Sequence, residues 1–130
     1  MALIVLDSSV VIALLDASDT LHASAVSSFL ECAGEDLRLP ASAYAECLVG
    51  PARMRLLARA RNRITQLRLT VEPLTARIAE RAAELRARTR VLGLSDALVI
   101  ATGDTLRANR VLTGDAVWSQ LSSRVRVIRP

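Results

Sequence analysis

The stretch Leu3-Ile4-Val5-Leu6-Asp7-Ser8-Ser9-Val10-Val11-Ile12-Ala13-Leu14-Leu15 restricts the folds open to this chain more than any other segment. Four consecutive apolar residues, with β-branched members among them, offer no polar face to water. They read as a strand buried on both sides, as in a parallel sheet. The run stops at a carboxylate, and a second apolar run, capped by Ser8 or Ser9, continues as a helix. Asp7 then stands at the carboxyl end of a parallel strand, where ligands bind in open α/β sheets. Aspartate is equally at home in caps and turns, so this stretch alone leaves Asp7 as either cap or ligand.

Composition bounds the rest. The chain has 130 residues, 52% hydrophobic and 23% charged, which suits one globular domain spanning 1–130. The longest apolar run, Val10 to Leu15, is too short to cross a bilayer, and Met1-Ala2 carries no basic segment of the kind that opens a signal peptide. A cytoplasmic protein with no membrane association is expected. Cys32 and Cys47 with a single histidine make no zinc set, and read as small buried thiols. All 17 basic residues are arginine. Guanidinium groups favour bidentate contacts with phosphate and carboxylate, and a pI near 10.4 points to a polyanionic partner, either nucleic acid or an acidic protein segment. Phe29, Tyr44 and Trp118 are the only aromatics, too few for base-stacking rows, so any nucleic acid would be held by backbone and shape.

Along the chain, Ser18-Asp19-Thr20 precedes an apolar stripe at helical spacing, predicting a helix from about Leu21 to Cys32 with His22 as a surface residue of its first turn. Leu37-Arg38-Leu39 reads as a short strand closed by Pro40, and Ser42 begins a helix carrying Glu46. That glutamate has no opposite charge three or four positions away, so it either points to water or is held inward for a reason. From Pro51 to Gln66, Met54, Leu57, Ala58 and Ile64 form a buried face, while Arg55, Arg59 and Arg63 recur every four residues along one side, as a solvated face or a phosphate track. A helix from Thr75 to Thr89 turns Leu74, Ile78, Ala82 and Leu85 inward and exposes Arg77, Arg81, Glu84 and Arg88.

Two further aspartates follow. Gly93 ends one helix, Ser95 caps the next, and Asp96 falls in its first turn, where the helix dipole favours a carboxylate at the rim of the core. Val111-Leu112-Thr113 then ends in Gly114-Asp115, repeating the strand-then-aspartate pattern of Leu6-Asp7. Val125 to Ile128 is a last strand, at an edge.

Asp7, Glu46, Asp96 and Asp115 each lie at a strand end or on a mostly apolar helix. Unit charges about 4 Å apart repel by roughly 4 kcal/mol at an effective dielectric near 20, so such a cluster requires a cation or a shared proton. All-oxygen ligands select Mg²⁺ or Mn²⁺. An acidic metal cluster in a basic protein suits phosphodiester hydrolysis, with metal activating water and arginines holding the backbone.

The segments Val5 to Leu15, Pro40 to Glu46, Leu94 to Ala101 and Leu112 to Asp115 together resemble the PIN-domain ribonucleases, specifically the VapC-like toxins of toxin–antitoxin pairs. That resemblance covers essentially the whole chain. It implies a three-layer α/β/α fold with a mostly parallel sheet of four to five strands, and Mg²⁺- or Mn²⁺-dependent cleavage of RNA. It also implies a homodimer and a cognate antitoxin whose tail covers the active-site groove. Asp7, Glu46 and Asp96 would be the main metal ligands and Asp115 a second-site or water-mediated one, with Ser9 and Thr113 orienting them. Trp118, where the family often has Phe, and Asp104 depart from the pattern without touching the acidic set. A phosphate-accepting receiver domain also places aspartates at strand ends, but needs a lysine that this chain lacks. A catalytically inactive PIN-like module binding RNA or protein remains the alternative.

Overall fold

The computed structural model describes residues 1–130. The first apolar run forms β1 (Leu3–Leu6), and α1 (Ser8–Leu15) begins two residues later. The cap between them is Asp7 rather than a serine: its carboxylate accepts the Ser8 backbone N–H. Then come α2 (His22–Glu31), β2 (Asp36–Pro40), α3 (Ala41–Arg53), α4 (Leu57–Gln66), β3 (Thr70–Glu72), α5 (Ala76–Arg88), α6 (Leu94–Thr105), β4 (Arg110–Thr113), a 3₁₀ turn (Ala116–Gln120) and β5 (Val125–Val127).

The five strands lie in the order β3-β2-β1-β4-β5, every neighbouring pair parallel. The chain builds outward from β1 to β2 and β3, then crosses back to place β4 on the other side of β1. The strand order therefore reverses between β1 and β4, which is where an open parallel sheet leaves a crevice at its carboxyl edge. Helices cover the sheet in the three-layer α/β/α manner. Ile4, Val5, Leu6, Leu37, Leu39, Val111, Leu112 and Val125 of the sheet form one continuous core with helix residues that include Val10, Val11, Ile78, Val99 and Ile100. Each such side chain stabilises by about 1.5–3 kcal/mol relative to exposure.

β3 was not legible as a strand. Thr70 and Val71 are exposed and carry no apolar alternation. Pairing with β2 makes it one, and Arg38 clamps that pairing by bonding Asp36 on its own strand and Glu72 on β3, each at 2.7 Å. The helix expected over 51–66 is two helices. Pro51 to Arg53 are the last turn of α3, and Arg55, in the left-handed region at φ 59°, turns the chain into α4. Met54 and Leu57, expected inside, are exposed, as are Ala58 and Leu74; Ala60 and Ile64 are the buried residues of α4. Gly93 does not end α5, which stops at Arg88; it is the residue from which α6 starts, with Ser95 already inside. Gly103 lets α6 lie close against the sheet, since a Cβ there would stand 2.4 Å from Val111 Cγ2.

Candidate active site

Asp7 continues β1 by one residue, its N–H donating to Leu112 O at 2.9 Å, so its side chain leaves the sheet at the reversal point. It is only 5% exposed. Its Oδ1 accepts Ser8 N at 2.8 Å; its Oδ2 accepts Ser9 Oγ at 2.7 Å and Thr113 Oγ1 at 2.9 Å. Both hydroxyls are themselves anchored by backbone donors, Ser9 Oγ by Gly114 N and Thr113 Oγ1 by Asp115 N, each at 3.0 Å. The two strand ends are thus stitched together around one carboxylate. Of the two readings left open for Asp7, the cap is realised: one oxygen caps α1, and the other takes two hydroxyl donors.

The other three carboxylates surround it from separate elements. Asp96, half-buried in the first turn of α6, has its pKa pushed up to about 6 by burial and then by the charges of Asp7, Asp115 and Glu46. Burial also raises Asp7, against the lowering effect of its hydrogen bonds, and the Glu46 charge raises it further. Glu46 is exposed on α3, its Oε1 3.4 Å from Ser8 Oγ, so it points to water and toward the cluster at once. Asp115 is exposed and caps the 3₁₀ turn by accepting Val117 N at 3.0 Å. Cys47, beneath them, has its thiol pushed to about 12 by burial and by the charges of Asp7 and Glu46, which makes it a packing residue and no nucleophile.

The chemistry of this donor set fits a hard divalent cation. It is all oxygen, and although the chain carries 17 arginines, every ion pair in the molecule lies elsewhere, on Asp36, Glu72, Glu84 and Asp104. The negative charge is left uncompensated by the protein. The side chains do not, however, close into a shell: no three His, Cys, Asp or Glu groups are drawn together as a metal ion's ligands.

Of the three arginines expected in a row, Arg59 and Arg63 share α4, while Arg55 lies in the turn before it. Arg63 donates to Leu15 O at 2.8 Å beside an apolar groove of about 260 Å³ that runs from Glu46 past Ile12 and Leu15. His22 is neither ligand nor free surface; its Nδ1 lies 2.7 Å from Ala13 O, tying α2 to the end of α1. Asp104 earns its place in α6 by bridging Arg81 at 3.1 Å and Arg124 at 3.5 Å. Trp118 was misjudged as remote from the acidic set. It is 1% exposed, and its Nε1–H lies near enough to Asp96 to lower that carboxyl, yet makes no well-formed hydrogen bond with any group. Its spacing of three residues from Asp115 was the available signal.

A family model for the PIN domain matches residues 4–123. The chain belongs to the PIN-domain family. Within it, the chain is similar in fold to VapC20 of Mycobacterium tuberculosis, described as a Sarcin-Ricin loop cleaving toxin, with a TM-score of 0.76 at 22% identity over 98% of this chain and 99% of that one. A chain of a toxin–antitoxin complex from Klebsiella pneumoniae gives 0.77 at 21% identity over 95% of each. FitAcB from Neisseria gonorrhoeae gives 0.75 at 23% over 98% and 97%. No curated protein matches the chain at a significant level.

Proposed function

We infer that the protein is a divalent-metal-dependent endoribonuclease and acts as the toxin of a type II toxin–antitoxin pair. The observation that carries this reading is the concentration of four unpaired carboxylates at the reversal point of a parallel sheet in a strongly basic chain. The similarity in fold to VapC and FitB toxin chains supports the same class.

Asp7, Glu46 and Asp96 would hold Mg²⁺ or Mn²⁺, with Asp115 completing the set. The bound ion would supply Lewis-acid charge that activates water and offsets the charge of the phosphate. The chain's own residues do the positioning. Ser9 and Thr113 orient the Asp7 carboxylate and favour its ionised form against the burial that raises it, because each donates its hydroxyl proton to Oδ2. The buried Trp118 lies beside Asp96, and its indole N–H lowers that carboxyl against the burial that raises it. The one histidine, His22, is tied to Ala13 O, so the carboxylates are the groups of this chain that could accept a proton from the attacking water. The apolar groove beside Glu46, edged by Arg63, suits an amphipathic segment of a cognate antitoxin. A homodimer in the cytoplasm completes the reading; no helix is long and apolar enough to cross a membrane.

The open arrangement of the carboxylates favours one competing reading, an inactive PIN-like module that binds RNA or protein. Incubating the protein with total RNA in Mg²⁺, Mn²⁺ or chelator separates the two. Discrete fragments are expected only with metal, and none from Asp96→Asn, which keeps the size of the side chain and loses the charge. Cleavage by Asp96→Asn at the wild-type rate would remove Asp96 from the site, and absence of cleavage in any metal would leave the binding module.

A further inference from the structure

A cavity of about 440 Å³ lies between α2 and the β4–β5 edge of the sheet, apart from the acidic cluster. Side chains alternate along a strand, so Arg110 and Leu112 of β4 share one face, and Val111 and Thr113 the other. Val111 faces α6 at Gly103, which leaves Arg110 and Leu112 on the α2 side, where they line the cavity. Arg126 of β5 stands beside Leu112 in register and lines it too. Strand positions under a helix ordinarily carry Val, Ile or Leu. Here Arg110 is half-buried on that face and Arg126 is exposed on the edge strand beside it, and α2 lines the space with Ser24, Ser27 and Ser28 instead of large apolar side chains. Arg129, just past β5, brings a third guanidinium, its backbone carbonyl accepting the Ser24 hydroxyl.

Glu31 is the one carboxylate in the lining, and none of the three arginines is within ion-pair distance of any carboxylate. Arg126 is braced by its Nη1, which donates to Ser123 O at 3.0 Å and Val125 O at 2.9 Å. The Arg110 charge reaches Cys32 in the cavity wall, where it opposes the burial that raises the thiol. Three guanidinium groups facing one carboxylate leave an excess of positive charge in a half-enclosed cleft, where attraction for an anion exceeds that on an open surface. Forked guanidinium donors interleaved with hydroxyl donors match the several oxygens of a phosphate better than the two of a carboxylate. The cleft also lies close to the site: Ile128, in its wall, donates its N–H to the carbonyl of Thr113, whose hydroxyl holds Asp7.

We propose that this cavity is a second phosphate-binding site, holding an RNA backbone phosphate away from the bond that is cut. The identity of the polyanion rests on the ribonuclease reading; the anion site rests on the cavity alone. The test is a titration of labelled single-stranded RNA, about a dozen nucleotides long, in chelator, followed by fluorescence anisotropy across a salt series. Wild type is compared with Arg126→Gln and Arg129→Gln; the latter lies outside every strand and helix, so its fold is not at risk. Each variant is expected to bind about tenfold more weakly and to flatten the salt slope by about 0.7. Poly-glutamate at matched charge is expected to displace the RNA poorly. Unchanged affinity and slope in both variants would overturn the proposal, as would displacement by poly-glutamate as effective as by unlabelled RNA. Arginine-dependent RNA binding in a protein that cuts nothing with Mg²⁺ or Mn²⁺ would uphold the site and sink the ribonuclease reading.

Discussion

At the scale of single residues, the acidic cluster is not a set of equals. Asp7 accepts three hydrogen bonds from protein donors, whereas Asp96 feels the charges of three other carboxylates against one nearby indole N–H that makes no well-formed bond. Asp96 is therefore the residue whose charge costs the folded state most. Its pKa of about 6, against an ordinary aspartate value of 3.8, means the folded chain keeps a proton that the unfolded chain has released. Across that window the folded state binds more protons, so stability falls as pH rises from 3.8 through about 6. Asp7, raised by burial, acts in the same sense; Asp16 and Asp36, lowered by bonds from Ser18 and Arg38, act in the opposite sense below 3.8. In chelator, the melting temperature is expected to drop between about pH 4 and pH 7, and Asp96→Asn to flatten that drop. Identical pH profiles for the two proteins would show that Asp96 is not strained. Trp118 offers a second readout, because it is the only tryptophan. Mn²⁺ is expected to quench its fluorescence saturably in the wild type and not in Asp96→Asn; equal quenching in both would place the ion elsewhere.

At the scale of elements, α6 carries the site because it is pressed onto the sheet. Its first turn delivers Asp96, and Gly103, two turns on, sits where a Cβ would strike Val111. Val111 is fully buried and β-branched, with little freedom to move aside. Gly103→Ala gains about 1 kcal/mol of helix propensity but forces overpacking that costs about 1–3 kcal/mol. A net loss of stability in urea denaturation is expected, together with reduced cleavage as Asp96 is shifted; a stabilised variant would mean that α6 can lift from β4 freely. The element least determined by its own residues is β3. Its strand character comes from β2 and from the Arg38–Glu72 bond, a tertiary contact that no local pattern announces. The arginine row at 55, 59 and 63 fails for a related reason: Arg55 is itself the left-handed residue of the turn between α3 and α4, and the periodicity was read as though the helix ran through it.

At the scale of the whole molecule, metal binding is expected to couple the two halves of the sheet, since the four carboxylates come from β1, α3, α6 and the end of β4. Mg²⁺ or Mn²⁺ at a hundredfold excess over its dissociation constant should stabilise the wild type by roughly 2.7 kcal/mol. In chelator, Asp96→Asn should melt above the wild type, because repulsion is relieved and no cap is lost. Asp7→Asn should melt below it, because an amide nitrogen would face the Ser9 and Thr113 hydroxyls that now donate to Oδ2. Neither variant should respond to metal as the wild type does. Thermal melts of the three proteins with and without metal check all of this; a wild type indifferent to metal would remove the cation from the site.

The sequence by itself determined the parallel α/β class and four of the five strands, because each of these carries its own local apolar pattern, and it singled out four acidic positions at strand ends or on mostly apolar helices. β1 and β4 share the strand-then-aspartate pattern, and the sheet order makes them neighbours. Only the tertiary structure decided that Ser9 and Thr113 converge on one oxygen of Asp7, that Trp118 backs Asp96, and that Arg110, Arg126 and Arg129 share a cavity. The reason is physical. These groups come from segments up to about a hundred residues apart, and their proximity follows from sheet order and from which face a strand residue takes.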